Sequence, residues 1–348
     1  MIFDQTVKRK DQPDLNPGYI KNLFQGCNPT IKPGVQRINT PKMRRLLLSF
    51  LLLNSLFLFA QNDADSLYIT TSDSVRLFVK IAGKGTPVLF IHGGPGSNSA
   101  YFEKEGGNVF EKDVQMIYLD QRGCGRSGNS VKNDYSLKRM ILDFEEVRQA
   151  LKIDSWIIMP HSVGGILGNE YALLYPTKIK GIVMLNGTLH IASSANSGIA
   201  KTVDLLQHKL KQNEIDYLLN DTVALLDRWF NAFWHLGQHD LKHVLMFDKK
   251  ESAYLDSVIT NSVSKTYEFV QKLWGFPEYF LDHSIKTSQI HTPVLVISGT
   301  RDYTIGIDHP KKMQYPNMEI KYLEGGHALY LEHNNELYNA VSPFLRNF

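Results

Sequence analysis

The segment SWIIMPHSVGGILGNEYALLYP, residues 155–176, predicts a buried strand, a sharp turn and a helix in direct succession. Residues 156–159 form the short apolar run typical of a buried parallel strand, and the apolar residues of 166–174 recur at helical spacing. Ser162 stands at the turn, and the small residues that follow it allow strand and helix to approach each other. Such a turn holds a hydroxyl beside a helix N-terminus, whose partial positive charge can stabilise an oxyanion. We therefore interpret Ser162 as a nucleophile.

The turn departs at one position from the G-x-S-x-G pattern, because Pro160 stands where that pattern has glycine. The fixed φ of proline suits an extended residue and its ring is compact, so we expect the turn to form. Taken alone, the segment is equally compatible with a functionless serine in a glycine-rich loop. The choice between the two interpretations depends on the rest of the chain.

The composition is that of an ordinary globular protein: 348 residues, 43% hydrophobic and 21% charged. The formal net charge of +3, without a basic run interleaved with aromatics, gives no reason to expect nucleic acid as a partner. Cys27 and Cys124 are the two cysteines, and no metal-ligand spacing connects them to histidines. The sequence therefore predicts neither a disulfide framework nor a zinc site.

The N-terminal 60 residues have the pattern of an extension followed by a signal peptide. Residues 1–42 are polar, rich in proline and without periodicity, so we expect them to be disordered and to derive from an upstream start. Residues 43–60, which begin at Met43 with two arginines and continue as LLLSFLLLNSLFLFA, are typical of a secretory signal peptide. The apolar core is short for a membrane span, although an uncleaved anchor is the alternative. We expect an exported protein, periplasmic or secreted, with no stable membrane insertion after cleavage.

Beyond residue 61, apolar strand patterns alternate with helical ones, which predicts an α/β fold with a mostly parallel sheet covered by helices on both faces. Strands are predicted within 66–81 (a pair) and at 87–91, 114–120, 156–159, 182–185, 293–298 and 318–323, and helices at 135–151 and from about 335 onward. Residues 188–283 lack strand patterns and are rich in large aromatics. We predict a helical cap there, inserted into a core formed by 61–187 and 284–348.

Two loops after the late strands supply the residues that a serine nucleophile needs, a base and an acid that orients it. Asp302 follows the strand at 293–298, and His327 follows the strand at 318–323. Both loops leave the same sheet edge as Ser162, so we predict a Ser162–His327–Asp302 triad. Asp308 is a nearby alternative acid. Other histidines fit the base role less well, because none follows a strand and glycines as closely: His291, His309 and His333.

The sequence HGGPG at residues 92–96, called here the HGGPG loop, directly follows the predicted strand at 87–91. Its glycines allow the backbone to approach a ligand closely. We assign the oxyanion donors to the backbone N–H groups of Gly94 and Val163. Losing one such donor typically lowers the rate about a hundred- to a thousandfold.

These motifs, together with DQRGCGRSG at 120–128 (the DQRG segment) and GGH at 325–327, resemble the proline iminopeptidase branch of the α/β-hydrolases. The resemblance covers most of residues 75–348 apart from the cap. It implies an α/β-hydrolase fold and release of an N-terminal residue, often proline, from a short peptide, without metal or cofactor. In that family the DQRG segment is mainly structural and holds the loop beside the site.

The resemblance also implies that carboxylates hold the free amine of the substrate, some of them supplied by the cap. Glu170, on the helix after Ser162, is our candidate outside the cap. None of the cap carboxylates lies in a motif that matches the family: Glu214, Asp216, Asp221, Asp227, Asp240, Asp248, Glu251, Glu268 and Glu278. The cap aromatics could instead line an acyl or aryl pocket or fill the core of the cap.

Three functions follow from this sequence. The leading one is an exported aminopeptidase of proline iminopeptidase type, whose partner is a small-molecule or short-peptide substrate. A carboxylesterase or lactonase on the same triad is the nearest alternative, and a non-catalytic binding protein on a hydrolase fold is the remote one. Dehalogenases and epoxide hydrolases with an aspartate nucleophile are disfavoured, because the turn residue is Ser162.

The signal-peptide hypothesis predicts the first residue of the exported protein. Cleavage after the apolar core would leave Gln61 at the N-terminus, which protein sequencing of the exported form would detect. A start inside the first 42 residues would refute the assignment of Met43 as the true start. Leu58 stands where the cleavage pattern has a small residue, so the cleavage site departs from that pattern at this position.

Overall fold

The computed structural model describes residues 65–94, 96–246 and 268–348. The predicted extension and signal peptide lie outside these residues, as do Pro95 of the HGGPG loop and two of the cap carboxylates, Asp248 and Glu251. Among the described residues, no helix is both long and apolar enough to cross a membrane.

The strands of the described residues form one sheet of eight, in the order β1-β2-β4-β3-β5-β6-β7-β8. β1 and β2 are antiparallel to each other and β2 is antiparallel to β4, whereas all other neighbours are parallel. The strands are β1 Asp65–Thr70, β2 Arg76–Ala82, β3 Pro87–Ile91, β4 Gln115–Leu119, β5 Trp156–Pro160, β6 Ile179–Leu185, β7 Val294–Gly299 and β8 Met318–Leu323.

The central strands are continuous apolar runs because both faces of the sheet are buried. Every residue of β5 and β7 is buried, and so are four of the five residues of β3. Helices cover one face with Met140, Phe144 and Tyr171, and the other with Phe102 and Leu337. The predicted α/β fold with a mostly parallel, doubly covered sheet is confirmed.

The helices alternate with the parallel strands and continue through a long insertion between β6 and β7. In chain order they are α1 Ala100–Phe102, α2 Leu137–Ala150, α3 Gly164–Leu174, α4 Ile191–Leu206, α5 Gln212–Leu219, α6 Leu225–Gln238, α7 Lys242–Met246, α8 Glu268–Lys272, α9 Leu329–Glu332 and α10 Asn334–Leu345. A π-helical turn, Glu103–Gly107, continues α1, and short 3-10 turns connect several elements.

The described part of the insertion between β6 and β7 consists of helices joined by turns, and it has apolar clusters of its own. Leu218 of α5 and Ala232 of α6 are buried in one of these clusters, with Trp229 packed against it. The two stems of the insertion meet where the N–H of His283 donates to the carbonyl of Leu189 at 2.8 Å.

The cap aromatics divide between core and surface. Phe269 and Tyr279 are fully buried, whereas Phe230 and Trp234 are exposed.

A buried arginine connects the DQRG segment to the helical layer. The guanidinium of Arg122, whose side chain has no exposed surface, donates to both carboxylate oxygens of Asp143 at 2.6 and 2.7 Å. It also donates to both oxygens of Asp73 at 2.8 and 2.9 Å, which holds the pKa of that carboxyl well below its usual range. These two bidentate pairs compensate the buried positive charge of Arg122, which would otherwise carry a large desolvation cost.

Replacing this arginine tests its contribution to stability. Arg122→Met leaves the carboxylate of Asp143 buried without its main partner, so we expect a loss of about 3–5 kcal/mol in the free energy of unfolding. Urea unfolding followed by circular dichroism measures it. Lys311→Met, which removes a cation from an exposed pair with Asp308, is the control and should leave the midpoint unchanged. Equal midpoints for both variants would contradict a structural role of the buried network.

Candidate active site

Ser162 lies in the tight turn between the end of β5 at Pro160 and the start of α3 at Gly164. Its φ is +56°, in the left-handed region that side-chain-bearing residues rarely adopt. The sharp turn therefore places its central residue in a strained backbone conformation. Ser162 is buried, with 6% of its surface exposed.

Glycines make this turn possible because neighbouring backbone lies against it from two sides. A Cβ at Gly164 would stand 2.3 Å from the carbonyl oxygen of Ile91, at the end of β3. One at Gly165 would stand 2.7 Å from the carbonyl oxygen of Thr188. Real Cβ atoms do not approach backbone so closely, so only glycine allows the helix to start here.

Pro160 is accommodated by a glycine on the facing helix. A Cβ at Gly168, one turn into α3, would stand 2.9 Å from Cγ and 3.1 Å from Cβ of the Pro160 ring. In the G-x-S-x-G pattern the missing side chain is on the strand, whereas here it is on the helix, at Gly168. The expectation that the turn tolerates proline holds for this reason, which inspection of the turn residues alone did not give.

The structure brings the three predicted triad residues together. His327 Nε2 lies 3.0 Å from Ser162 Oγ, and His327 Nδ1 lies 3.0 and 3.2 Å from the two oxygens of Asp302. A carboxylate can only accept, so Nδ1–H donates to Asp302, and Nε2 is left to accept the serine proton. All three side chains are buried. This arrangement can raise the nucleophilicity of a hydroxyl and stabilise the imidazolium that forms.

The carboxylate of Asp302 is fixed by its own loop. Its Oδ1 accepts from the backbone N–H groups of Thr304 and Ile305, each at 3.1 Å. The alternative acid, Asp308, is exposed and pairs with Lys311 at 2.6 Å. Of the alternative bases, His309 accepts the N–H of Leu189 through Nε2 at 2.9 Å.

Sequence reasoning missed the role of the histidine that precedes Ser162. His161 Nε2–H donates to the carbonyl oxygen of His327 at 3.1 Å, and the two imidazole rings lie 4.8 Å apart. Burial, with a smaller contribution from His327, lowers the pKa of His161 to about 3. His161 is therefore a neutral support for the backbone of His327. Its position next to Ser162 was the one available signal.

The HGGPG loop lies against Ser162 at Gly93. A Cβ at Gly93 would stand 2.4 Å from Cβ and 3.1 Å from Oγ of Ser162. Gly94 follows with a φ of +126°, which favours glycine. The loop and the start of α3 therefore lie on two sides of the Ser162 hydroxyl, where Gly94 and Val163 carry the N–H groups assigned to the oxyanion.

The DQRG segment holds this loop in place through His92. The N–H of Gln121 donates to His92 Nε2 at 3.0 Å, and its side-chain amide donates to the carbonyl of His92 at 2.7 Å. Nδ1–H then donates to the carbonyl of Gly93 at 3.0 Å. Burial lowers the pKa of the His92 imidazole, which keeps it neutral as this pattern requires.

Asp120 links Ser99, which follows the HGGPG loop, to Arg126 of the DQRG segment. Its Oδ1 accepts from the N–H and the hydroxyl of Ser99 at 2.9 and 2.7 Å, and its Oδ2 accepts from Arg126 Nε at 2.7 Å. Burial alone would raise the pKa of this carboxyl, but hydrogen bonds and the charge of Arg126 hold it below its ordinary value. Asp120 is thus ionised, and its carboxylate holds Ser99 and Arg126 together beside the site.

Glu170 is placed away from the triad and bound within the protein. Its Oε1 lies 2.7 Å from His283 Nδ1 and 3.3 Å from Lys286 Nζ, at the return stem of the cap. Six residues along α3 from Gly164 correspond to a rise of about 9 Å. Glu170 makes no hydrogen bond with the triad within the described residues, and its proposed contact with a substrate amine stays a prediction.

Several of the described cap carboxylates have hydrogen-bond partners within the protein, among them Glu214, Asp216 and Glu278. Glu214 Oε2 accepts from the N–H of Lys211 at the start of α5, at 2.7 Å. Glu278 Oε1 accepts from the N–H of Leu137 at the start of α2, at 3.2 Å. The described residues contain no cluster of three or more histidine, cysteine, aspartate or glutamate side chains placed to hold a metal ion.

Helix α8 of the cap packs on the HGGPG loop and on the DQRG segment, beside Ser162. A Cβ at Gly96 would stand 2.8 Å from Cβ of Val270. The N–H of Phe269 donates to the carbonyl of Gly123 at 3.2 Å. The cap is therefore in direct contact with the HGGPG loop and with the DQRG segment.

Residues 86–334 match the family model described as the alpha/beta hydrolase fold. A proline iminopeptidase of Neisseria gonorrhoeae is 34% identical over 284 residues, which cover 76% of this chain and 90% of that protein. A proline iminopeptidase of Heyndrickxia coagulans is 36% identical over 279 residues, covering 76% of this chain and 92% of that protein.

Solved structures share the fold at lower identity. A proline iminopeptidase-related protein from Thermus thermophilus aligns with a TM-score of 0.68 at 19% identity, covering 82% of this chain and 99% of that one. An esterase from Exiguobacterium antarcticum aligns with a TM-score of 0.60 at 17% identity, covering 81% of this chain and all of that one.

The contact between Pro160 and Gly168 predicts that substitutions at the two positions are coupled. Gly168→Ala should destabilise the protein by about 1–3 kcal/mol, because the added methyl group overpacks the ring of Pro160. In a Pro160→Gly background the same change should be neutral or stabilising, since alanine is the better helix former by about 1 kcal/mol. Urea unfolding of the two single variants and the double variant gives the coupling energy. Additive effects would show that the ring and the helix do not constrain each other.

Proposed function

The chain belongs to the α/β-hydrolase fold family and is a relative of proline iminopeptidases, and on that premise we propose that it is an exported aminopeptidase that acts through Ser162. It is a hydrolase. The observation that carries the proposal is the position of the His327 ring, 3.0 Å from the Ser162 hydroxyl on one side and 3.0 Å from Asp302 on the other. That arrangement supports nucleophilic attack on an acyl carbon.

In the proposed first step, Ser162 Oγ attacks the carbonyl carbon while His327 Nε2 takes its proton. The imidazolium, stabilised by Asp302, then returns that proton to the leaving amine as the carbon–nitrogen bond breaks. Water repeats the sequence on the acyl-enzyme and releases the free acid. The N–H groups of Gly94 and Val163 are the proposed donors to the tetrahedral oxyanion, at a site where water is largely excluded.

The aminopeptidase assignment is supported by the curated relatives, which are described as proline iminopeptidases and match over most of their length. We propose a short peptide with a free N-terminal residue as the substrate. Glu170 is already paired with His283 and Lys286. An ester substrate is the alternative outcome of the test below.

Export through residues 43–60 is part of the proposal. It is supported by the sequence pattern alone, a basic start followed by 15 apolar or small residues and then Gln61. An exported aminopeptidase would act on peptides outside the cytoplasm.

Substrate preference is tested by comparing amide and ester hydrolysis. We expect the purified protein to cleave proline or alanine p-nitroanilide, with kcat/KM falling below detection when the substrate amine is acetylated. Loss of the positive charge removes its attraction to a carboxylate, whereas the scissile bond is unchanged. The release of p-nitroaniline measures the rate, and p-nitrophenyl acetate and butyrate are the comparison substrates.

Ser162→Ala is the control for this experiment and should abolish both amide and ester hydrolysis. It should also abolish covalent labelling by a fluorophosphonate, which separates an enzyme from a non-catalytic binding protein. Turnover of esters without any cleavage of anilides would replace the aminopeptidase by an esterase. Equal activity in the Ser162→Ala variant would refute the assigned nucleophile.

A further inference from the structure

Asn186 follows the last residue of β6, between the strand that leads to Ser162 and the strand that leads to Asp302. It is 4% exposed and has a φ of +40°, a conformation that asparagine tolerates better than most residues. Its backbone N–H donates to the carbonyl of Ile297 in β7 at 2.8 Å, and its carbonyl lies 3.2 Å from the N–H of Ser162. The backbone of Asn186 thus already connects the nucleophile turn with β7.

The side-chain amide of Asn186 extends this connection to the other two loops of the triad. Its Oδ1 accepts from the N–H of Gly299, which ends β7 and precedes Asp302, at 2.8 Å. Its Nδ2 donates to the carbonyls of Gly326 and His327 at 2.8 and 2.7 Å. One acceptor and both donors of the amide are in use, so its orientation is fixed by its partners.

The carbonyl of His327 receives a second donor from the opposite neighbour. His161 Nε2–H lies 3.1 Å from the same oxygen that Asn186 binds at 2.7 Å. Both lone pairs of this oxygen are therefore occupied, by one residue of the nucleophile turn and one residue at the end of β6. The backbone at the catalytic histidine is held from two sides, which constrains where its ring can point.

We propose that Asn186 is a positioning residue for the triad, which sets the histidine loop in register with the nucleophile turn and with the loop of Asp302. This rests on the proposed role of Ser162 and extends it. The three triad residues come from three separate loops, and Asn186 bonds to all three. Misplacing reacting groups by about 1 Å can lower a rate about a hundredfold, even when the substrate still binds.

The chemistry of the amide explains why asparagine stands here. An aspartate would direct a carboxylate oxygen at the two carbonyls of Gly326 and His327. An alanine would remove the hydrogen bonds to the N–H of Gly299 and the carbonyl of Gly326, and it would leave the carbonyl of His327 with the donor of His161 alone. A merely structural asparagine would affect stability alone. A positioning residue must also lower the rate of the chemical step without weakening the preceding binding step.

A fluorophosphonate probe separates these outcomes without reference to the natural substrate. The serine oxygen forms a bond to phosphorus, fluoride leaves, and His327 takes the serine proton, so the reaction needs the triad geometry. We expect Asn186→Ala to lower the maximal labelling rate constant about 10- to 100-fold. The probe concentration for half-maximal labelling should change less than twofold. The full chain is used, and melting temperatures are measured in parallel.

Asn169→Ala is the matched control. Asn169 is equally buried and accepts from the hydroxyl of Tyr315 at 2.9 Å, so its loss also leaves a buried polar group without its partner. We expect that variant to melt at a lower temperature and to be labelled at the wild-type rate. Asn186→Gly, which keeps the positive φ without strain, is the second variant in case alanine does not fold.

The outcomes distinguish this inference from the proposed function. Absence of labelling at Ser162 in the wild-type chain would overturn both. Labelling of wild type and of the Asn186 variants at equal rates would overturn the positioning role alone, as would a slower rate explained wholly by weaker probe binding. If neither Asn186 variant yields folded protein while Asn169→Ala folds, the residue serves folding and the inference fails.

Discussion

The left-handed backbone of Ser162 is the constraint on which the rest of the site depends. Such a conformation costs about 1–3 kcal/mol in a residue with a side chain, so it persists only where the surrounding structure imposes it. The end of β3 and the start of α3 do so by lying within contact distance of the turn, which Gly93 and Gly164 permit. The same contacts place the HGGPG loop and the helix N-terminus beside the hydroxyl. The contacts that impose the strained conformation on Ser162 are therefore the same ones that hold the loop and the helix N-terminus around its hydroxyl.

Much of this could be predicted from the sequence because it depends on short-range patterns. Apolar runs of five or six residues identify the buried strands, and the loops after them deliver side chains to one edge of a parallel sheet. That rule was sufficient to choose Ser162, Asp302 and His327, which the structure brings within hydrogen-bond distance. The prediction needed the order of strands along the chain, and it did not need their order in the sheet.

The remaining features could not be predicted because they join residues far apart in sequence. The space that Gly168 leaves for Pro160 depends on how closely strand and helix pack. Glu170 pairs with His283, which lies 113 residues away at the return stem of the cap. Asn186 has no motif of its own, and its importance appears only when the three loops are assembled around it. In each case the sequence supplies the group and tertiary structure supplies the partner.

The contact of helix α8 with the loops beside Ser162 couples the cap to the proposed oxyanion site. Val270 fills the space against Gly96, and the backbone of Phe269 is bonded to the DQRG segment that braces His92. Gly96 lies two residues after Gly94, one of the two proposed oxyanion donors, so a displacement of α8 would also disturb the loop that carries this donor. Movement of the cap at α8 would therefore change the geometry in which the proposed Gly94 donor meets a substrate.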